Sequence, residues 1–167
     1  MSVEPKYWTE AQATGGGRNG LSKLASGMLT ITMASPKELG GSGEGHNPEE
    51  LFALGYAACY LGAMRFAAQS EKLGSVPDDA SVKAKVGIGP RAEGGFGLAV
   101  TLEVSLPGVA KDVAEKISCA VVSRTSAGAP VLPEVERTRR VSSSGQKRSG
   151  TAVRRSSSPG ATTIAAS

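Results

Sequence analysis

The chain has 167 residues and a formal net charge of +4, with two cysteines and one histidine. This length suits one domain with a hydrophobic core, two cysteines are too few for a disulfide framework, and no apolar run approaches the ~20 residues that span a bilayer. The first residues, MSVEPKYW, do not have the basic and apolar regions of a secretory signal, so we expect a cytoplasmic protein that does not bind membranes.

The charge is divided unevenly along the chain. Residues 1–122 carry a net charge of −2 and all seven aromatic residues, whereas residues 123–167 carry a net charge of +6 and ten serines. The second segment has too little apolar surface to offset the conformational entropy that it would lose on ordering. We therefore predict a folded domain over residues 1–122 and a basic, disordered, Ser/Arg-rich tail over residues 123–167.

The first part of the chain predicts short strands separated by glycine-rich turns. A strand over residues 7–13 precedes ATGGGRNG, which predicts a turn around Arg18. A further strand is predicted near Met28–Ala34, where apolar residues alternate with polar ones. The segment ELGGSGEG is expected to be a flexible loop, because it does not have the Gly-Lys-Ser/Thr ending of a phosphate-binding P-loop.

A long helix is predicted to follow that loop. Asn47 suits the N-cap, Pro48 suits the first helical position, and Glu50 occupies the acidic position of a capping box. Apolar residues then occur on almost every side from Leu51 to Ala68, so we predict a central, buried helix. Gly74 is expected to end it.

Two alternating segments, ASVKAKVGIG and FGLAVTLEVSLPG, flank the turn PRAEGG. They predict an antiparallel hairpin in which each strand has one face in water. A second amphipathic helix is indicated by four apolar residues at helical spacing, Val109, Val113, Ile117 and Val121. Strands, a buried helix, a hairpin and a second helix in this order predict an α+β domain.

Few residues in the chain indicate chemistry by pattern alone. Cys59 lies in the predicted buried helix, where a cysteine is by default an inert small hydrophobe. His46 is expected on the loop before that helix, without neighbours that would complete a zinc site or a catalytic pair. The basic tail has no aromatic residues for base stacking. A solvated tail is therefore the favoured interpretation, and a non-catalytic nucleic-acid-binding protein is the alternative.

Several motifs, in order, resemble the organic hydroperoxide resistance (Ohr) branch of the OsmC/Ohr family. They are ATGGGRNG, SPKELGGSGEGHNPEE, NPEELFALGYAACYLGAMRF and VGIGPRAEGGFGLAVTLEVSLPG, and together they extend over roughly residues 5–122. The resemblance implies an intertwined homodimer with an antiparallel sheet packed on a central buried helix. It also implies a thiol-dependent peroxidase that reduces organic hydroperoxides to alcohols, with an OsmC-like peroxidase of broader substrate range as the alternative.

The same resemblance implies the site residues. It assigns Cys59 as the reactive cysteine, Arg18 as the arginine of the glycine-rich turn, and Glu49 as the glutamate that follows Asn-Pro. It implies no bound cofactor or metal and a dihydrolipoyl dithiol as the external reductant. These residue types suit the chemistry, because a thiolate attacks a peroxide, an arginine favours the thiolate, and a carboxylate can hold the arginine.

The position of the site relative to the helix stays open. Glu49 and Cys59 are about 15 Å apart along an unbroken helix, so a link between them needs Arg18, a bend near Gly55, or a partner subunit. Three further side chains are candidates for an apolar substrate wall, and a role in the core is equally open for each of them: Phe52, Tyr56 and Leu61.

The family's Val-Cys-Pro-Tyr motif, which carries the resolving cysteine, is absent. At its place the chain has Ser123–Thr125, and removing one G from TGC CCG TAC, which encodes Cys-Pro-Tyr, gives the codons of Ser-Arg-Thr. We therefore hypothesise that a one-base deletion, in the gene or in its sequencing, shifts the frame. The terminal strands are then expected to be missing, which would expose a sheet edge. Cys119 lies one helical turn before the expected resolving position, so it could act as the resolving thiol only if the end of the helix slid or frayed. Without a positioned thiol the catalytic cycle is expected to stall, and Cys59 would need an external thiol or risk overoxidation.

Overall fold

The computed structural model of the protein describes residues 4–126, 136–142 and 163–165, with side chains as far as residue 121. The chain divides into two compact units, Met1–Phe52 and Ala53–Ser167. Both helices and strands are present, and the α+β prediction is confirmed.

The first unit contains a three-stranded antiparallel sheet of β1 (Ala11–Thr14), β2 (Leu21–Leu24) and β3 (Thr30–Thr32), in that order. The first predicted strand begins four residues later than expected, and β2 was not predicted. The register pairs Thr14 with Leu21, so residues 15–20 form the connection between the two strands. That connection includes a single 3-10 turn over Gly17–Asn19, which confirms the predicted turn around Arg18.

Two glycines explain why the chain can turn there. Gly17 has a φ of 63°, a left-handed conformation that L side chains rarely adopt. At Gly20 a Cβ atom would lie 2.0 Å from the carbonyl oxygen of Thr14, so no larger residue fits. The glycines of ATGGGRNG thus shape a turn that presents Arg18.

Helix α1 extends over Pro48–Ser70 and begins where the sequence predicts. The Asn47 side chain accepts a hydrogen bond from the Glu50 backbone N–H at 3.0 Å, and the Glu50 carboxylate accepts one from the Asn47 N–H at 3.4 Å. This reciprocal pair is the predicted capping box. The helix does not continue to Gly74. It ends at Ser70, because Lys72 adopts a left-handed conformation and Leu73 N–H bonds back to the Ala68 carbonyl.

Burial along α1 is confined to its C-terminal half. The buried residues are Tyr60, Met64, Ala67 and Ala68. Leu54 is 70% exposed and Phe66 is 62% exposed. The expectation of burial on all sides is therefore wrong for the single chain, because the neighbouring elements of the second unit cover only one side of the helix.

By length and composition alone, α1 would also be able to cross a membrane. This property was not expected, because the chain has no uninterrupted apolar run of that length. The core helix of a soluble domain passes the same test, and the C-terminal half of α1 packs into the hydrophobic core of the second unit.

The predicted hairpin is confirmed in the second unit. Strands β4 (Ser81–Pro90) and β5 (Phe96–Ser105) are antiparallel along their whole length. Alternate residues of β5 are buried, namely Val100, Leu102 and Val104. Helix α2 (Lys111–Ser126) buries Ile117 and Val121 in one hydrophobic cluster with Leu102 and Val104 of β5 and Met64 of α1.

Two further strands lie within the predicted tail. Strand β6 (Glu136–Ser142) pairs in parallel with β5, and β7 (Thr163–Ala165) pairs antiparallel with β6. The prediction of a tail without structure does not hold for these two segments. The edge of β5, which was expected to be exposed, is paired with β6 through backbone hydrogen bonds. The other tail residues after Ser126 lie outside the described residues.

Candidate functional site

An ion pair joins the glycine-rich turn to the first turn of α1. The Arg18 guanidinium donates a hydrogen bond to the Glu49 carboxylate at 2.5 Å. The Glu49 side chain is only 11% exposed, whereas that of Arg18 is 39% exposed. Partial burial reduces screening by water and strengthens the attraction between the two charges. The two residues that the family resemblance paired are thus in contact.

The position of Glu49 follows from the start of the helix. The capping box fixes the first turn, and a carboxylate there interacts favourably with the positive end of the helix dipole. Pro48 is the first helical residue, and its ring fixes its own φ angle near the helical value. The sequence HNPEE therefore fixes the position of the Glu49 side chain beside the turn that carries Arg18.

Glu50, the next residue, has different partners. Its carboxylate lies 3.0 Å from Nδ1 of His46 and also accepts the Asn47 N–H. These hydrogen bonds, chiefly the one with His46, hold the pKa of Glu50 below its ordinary value of 4.5. Glu50 thus fixes the helix start, while Glu49 faces the arginine.

Cys59 lies on α1, one residue before the buried Tyr60, and is exposed. A buried, inert cysteine was the default expectation from the helix pattern. Exposure on this helix instead leaves the thiol accessible to reagents, as a reactive cysteine requires.

Cys119 lies on α2 and is also exposed, and neither cysteine is in a disulfide. The residues beside the two cysteines are in contact, because the Tyr60 hydroxyl donates to the Ser118 carbonyl at 3.4 Å. Helix α2 continues to Ser126. Ser123, where the resemblance to the family implies the resolving cysteine, is therefore on the same helix as Cys119 and one turn further on.

The three wall candidates are half-buried. Tyr56 and Leu61 pack against the hydrophobic cluster of the second unit. These contacts give both residues a role in the core. Among residues 4–126 and the described strands after them, no group of three or more His, Cys, Asp or Glu side chains could hold a metal ion.

Two residues near the ion pair have contacts that the sequence did not predict. His46 lies on the loop before α1, as expected, but it also forms a parallel β-bridge with Met33 and contacts Glu50. The Asn19 side chain accepts a hydrogen bond from the Ser35 backbone N–H at 2.8 Å. The bridge from His46 to Met33 and the bond from Ser35 to Asn19 join residues far apart in the chain, so no local spacing predicts them.

Known proteins resemble this chain over most of its length. The family model described as "OsmC-like protein" matches residues 41–131. An uncharacterised protein of Acinetobacter baylyi is 46% identical over 117 residues, which are 70% of this chain and 80% of that protein. An organic hydroperoxide resistance protein of Xanthomonas axonopodis pv. citri is 45% identical over 106 residues, which are 63% and 72% of the two chains.

The fold of solved structures agrees with these matches. The crystal structure of an organic hydroperoxide resistance protein from Legionella pneumophila, also described as OsmC, has a TM-score of 0.73 and 34% identity. The match covers 83% of this chain and 99% of that one. The family model, the relatives and the solved structures agree, and the chain belongs to the OsmC/Ohr family.

Proposed function

We propose that this chain is a thiol-dependent peroxidase that reduces organic hydroperoxides to alcohols through Cys59, in the response to oxidative stress. Membership of the OsmC/Ohr family supports a peroxidase-like role in resistance to organic hydroperoxides. The observation that carries the proposal is the ion pair between Arg18 and Glu49, at the start of the helix that also bears the exposed Cys59.

The first step is a two-electron oxidation of the thiolate. The Cys59 sulfur attacks the outer oxygen of the hydroperoxide, the S–O bond forms, and the O–O bond breaks. The cysteine becomes a sulfenic acid, and the alkoxide takes a proton and leaves as the alcohol. The atoms and electrons of this step balance without a metal or a prosthetic group.

Arg18 has two roles in the proposed reaction. A guanidinium near the thiol favours its charged, nucleophilic form. The same cation stabilises the negative charge that develops on the leaving oxygen. In this proposal Glu49 keeps the guanidinium in one orientation. The hydrogen bond between the two side chains supports this step.

The second step is the reduction of the sulfenic acid by an external dithiol, for which we propose dihydrolipoyl groups. One thiol of the dithiol displaces water to form a mixed disulfide, and its second thiol then releases the Cys59 thiol. This route needs no cofactor bound to the chain. A cytoplasmic setting would keep both cysteines reduced between turnovers.

We also propose that the chain acts as a homodimer. Apolar side chains such as Leu54 and Phe66 on α1 are more than half exposed in the single chain. A second copy that covered them would bury apolar surface at a gain of roughly 25 cal/mol per Å².

Consumption of cumene hydroperoxide in the presence of dihydrolipoamide tests the proposal. We expect the chain to consume the peroxide and Cys59→Ser to lose this activity, because serine offers no comparable nucleophile. Cys119→Ser is the matched control and should leave the initial rate unchanged. Equal rates for the unmodified chain and Cys59→Ser would refute the function.

A further inference from the structure

The turn that carries Arg18 is attached to the chain just after β3. The Met33 N–H donates to the Gly20 carbonyl at 2.8 Å, which extends the β2–β3 ladder by one bond. The Ser35 N–H, two residues on, donates to the Asn19 side chain at 2.8 Å rather than to a backbone group. The amide oxygen of Asn19 thus takes the place of a carbonyl in the next position of the ladder.

The start of α1 is attached to the same segment from its other side. The His46 N–H donates to the Thr32 carbonyl at 3.0 Å, and the Ala34 N–H donates to the His46 carbonyl at 2.9 Å. Successive residues of an extended chain direct their backbone groups to alternate sides. One four-residue stretch, Thr32–Ser35, therefore holds both the turn before β2 and the residue before the N-cap of α1.

We propose that Asn19 is a positioning residue that holds Arg18 against Glu49 by fixing the glycine-rich turn to Ser35. Its role in the reaction rests on the proposed function of Arg18. Asn19 itself touches neither the substrate nor the thiol in this proposal and acts through its neighbour in the chain.

The backbone of the turn supplies little restraint of its own. Gly15, Gly16 and Gly17, the three residues before Arg18, all have positive φ angles, and glycine permits many other conformations at little cost. A backbone ladder could not continue through Arg18 without drawing the arginine into the sheet. Because the acceptor is the Asn19 side chain, the backbone can leave the sheet at Gly20. The turn is then still fixed at Asn19, the residue next to Arg18.

Asn19 is exposed at the surface, so water can replace it as the acceptor for the Ser35 N–H. We therefore expect its removal to leave the melting temperature almost unchanged and to loosen only the turn. A net contribution typical of one hydrogen bond corresponds to a change of about threefold to tenfold in a local equilibrium.

Amide hydrogen exchange followed by NMR tests the attachment without any need for activity. In Asn19→Ala, the Ser35 amide should exchange about threefold to tenfold faster, since its acceptor is lost. The Met33 amide, which donates to the Gly20 backbone, is the internal control and should not change. Asn19→Asp retains an acceptor oxygen and should restore the slow exchange. An unchanged Ser35 amide in Asn19→Ala would overturn the proposal.

A double-mutant cycle on peroxide consumption tests the role of Asn19 in positioning Arg18. Asn19→Ala should lower kcat/KM for cumene hydroperoxide about threefold to tenfold in the unmodified chain, and have no further effect in an Arg18→Ala background. An equal loss in both backgrounds would show that Asn19 does not act through Arg18. If Arg18→Ala itself had no effect, the proposed function of Arg18 would fail, while hydrogen exchange would still decide whether Asn19 fixes the turn.

Discussion

At the scale of single residues, two adjacent carboxylates on α1 have separate tasks. Glu49 is nearly enclosed and pairs with Arg18, whereas Glu50 is exposed and serves the cap together with His46. Their side chains point about 100° apart because a helix turns by that angle at each residue. Exchanging the two roles would require a shift of the helix start by one residue, which the position of Pro48 opposes.

Glu50 gives the protein a defined dependence of stability on pH. Its pKa is lowered on folding, chiefly by the hydrogen bond with His46, so its ionised form stabilises the folded state at pH values above 4.5. This stabilisation is lost as the pH falls through the lowered pKa. We expect thermal melts between about pH 5 and pH 3 to show a shallower decline for Glu50→Gln than for the unmodified chain. Parallel curves for the two proteins would contradict the assignment.

At the scale of elements, the sequence predicted those features that local chemistry determines. The cap at Asn47 and the alternation in β4 and β5 depend on residues close in the chain, and both were found as expected. The end of α1 was not predicted, because Lys72 adopts a left-handed conformation that sequence alone assigns to glycine. Asn19 was missed because its partner is sixteen residues away.

The exposure of α1 has the same kind of explanation. An apolar pattern shows which side chains avoid water, but it does not show what covers them. The single chain covers Met64 and leaves Leu54 exposed, although both belong to the same apolar pattern. The pairing of β6 was missed for a related reason, since composition measures side chains and the pairing is made by backbone groups.

Gly55 provides a test of what lies against α1. It is inside the helix, and a Cβ atom built there meets nothing within 4 Å. Gly55→Ala should therefore stabilise the chain by about 0.5–1 kcal/mol, because alanine loses less backbone entropy on folding. Urea unfolding measures the change. Gly20→Ala is the contrasting variant and should destabilise, since its Cβ would overlap the Thr14 carbonyl.

A different result at Gly55 would also be informative. Destabilisation by Gly55→Ala would mean that another surface packs closely against the helix at this point. Repeating the unfolding at several protein concentrations would then show whether that surface belongs to a second copy, because the stability of an obligate dimer depends on protomer concentration.

At the scale of the whole molecule, the chain has the first thiol of the proposed cycle but not the expected second one. Cys59 and Cys119 lie on different helices, and the chain has a serine at position 123, where the resemblance to the family implies the resolving cysteine. We expect treatment with cumene hydroperoxide to convert Cys59 to a sulfenic or higher acid. Mass spectrometry of the peptides reports the product, and a disulfide between Cys59 and Cys119 would show that Cys119 resolves the intermediate.

A chain with the frame restored, carrying Cys-Pro-Tyr from Ser123 onward, is the matched comparison. It should form a disulfide from Cys59 to the new cysteine and resist overoxidation at Cys59. Resequencing of the coding DNA tests the origin of the difference. If the adjacent frame does not encode Cys-Pro-Tyr, the deletion hypothesis is wrong.

The parallel pairing of β6 with β5 has a consequence for how this fold tolerates a changed C-terminus. Adjacent strands are joined by peptide groups, which every sequence carries, so the outer edge of β5 selects weakly among the segments that can occupy it. A segment of unrelated sequence that pairs with this edge still shields its backbone groups from other molecules. If the deletion hypothesis is correct, a changed ending therefore removes the resolving thiol while the edge of β5 stays paired.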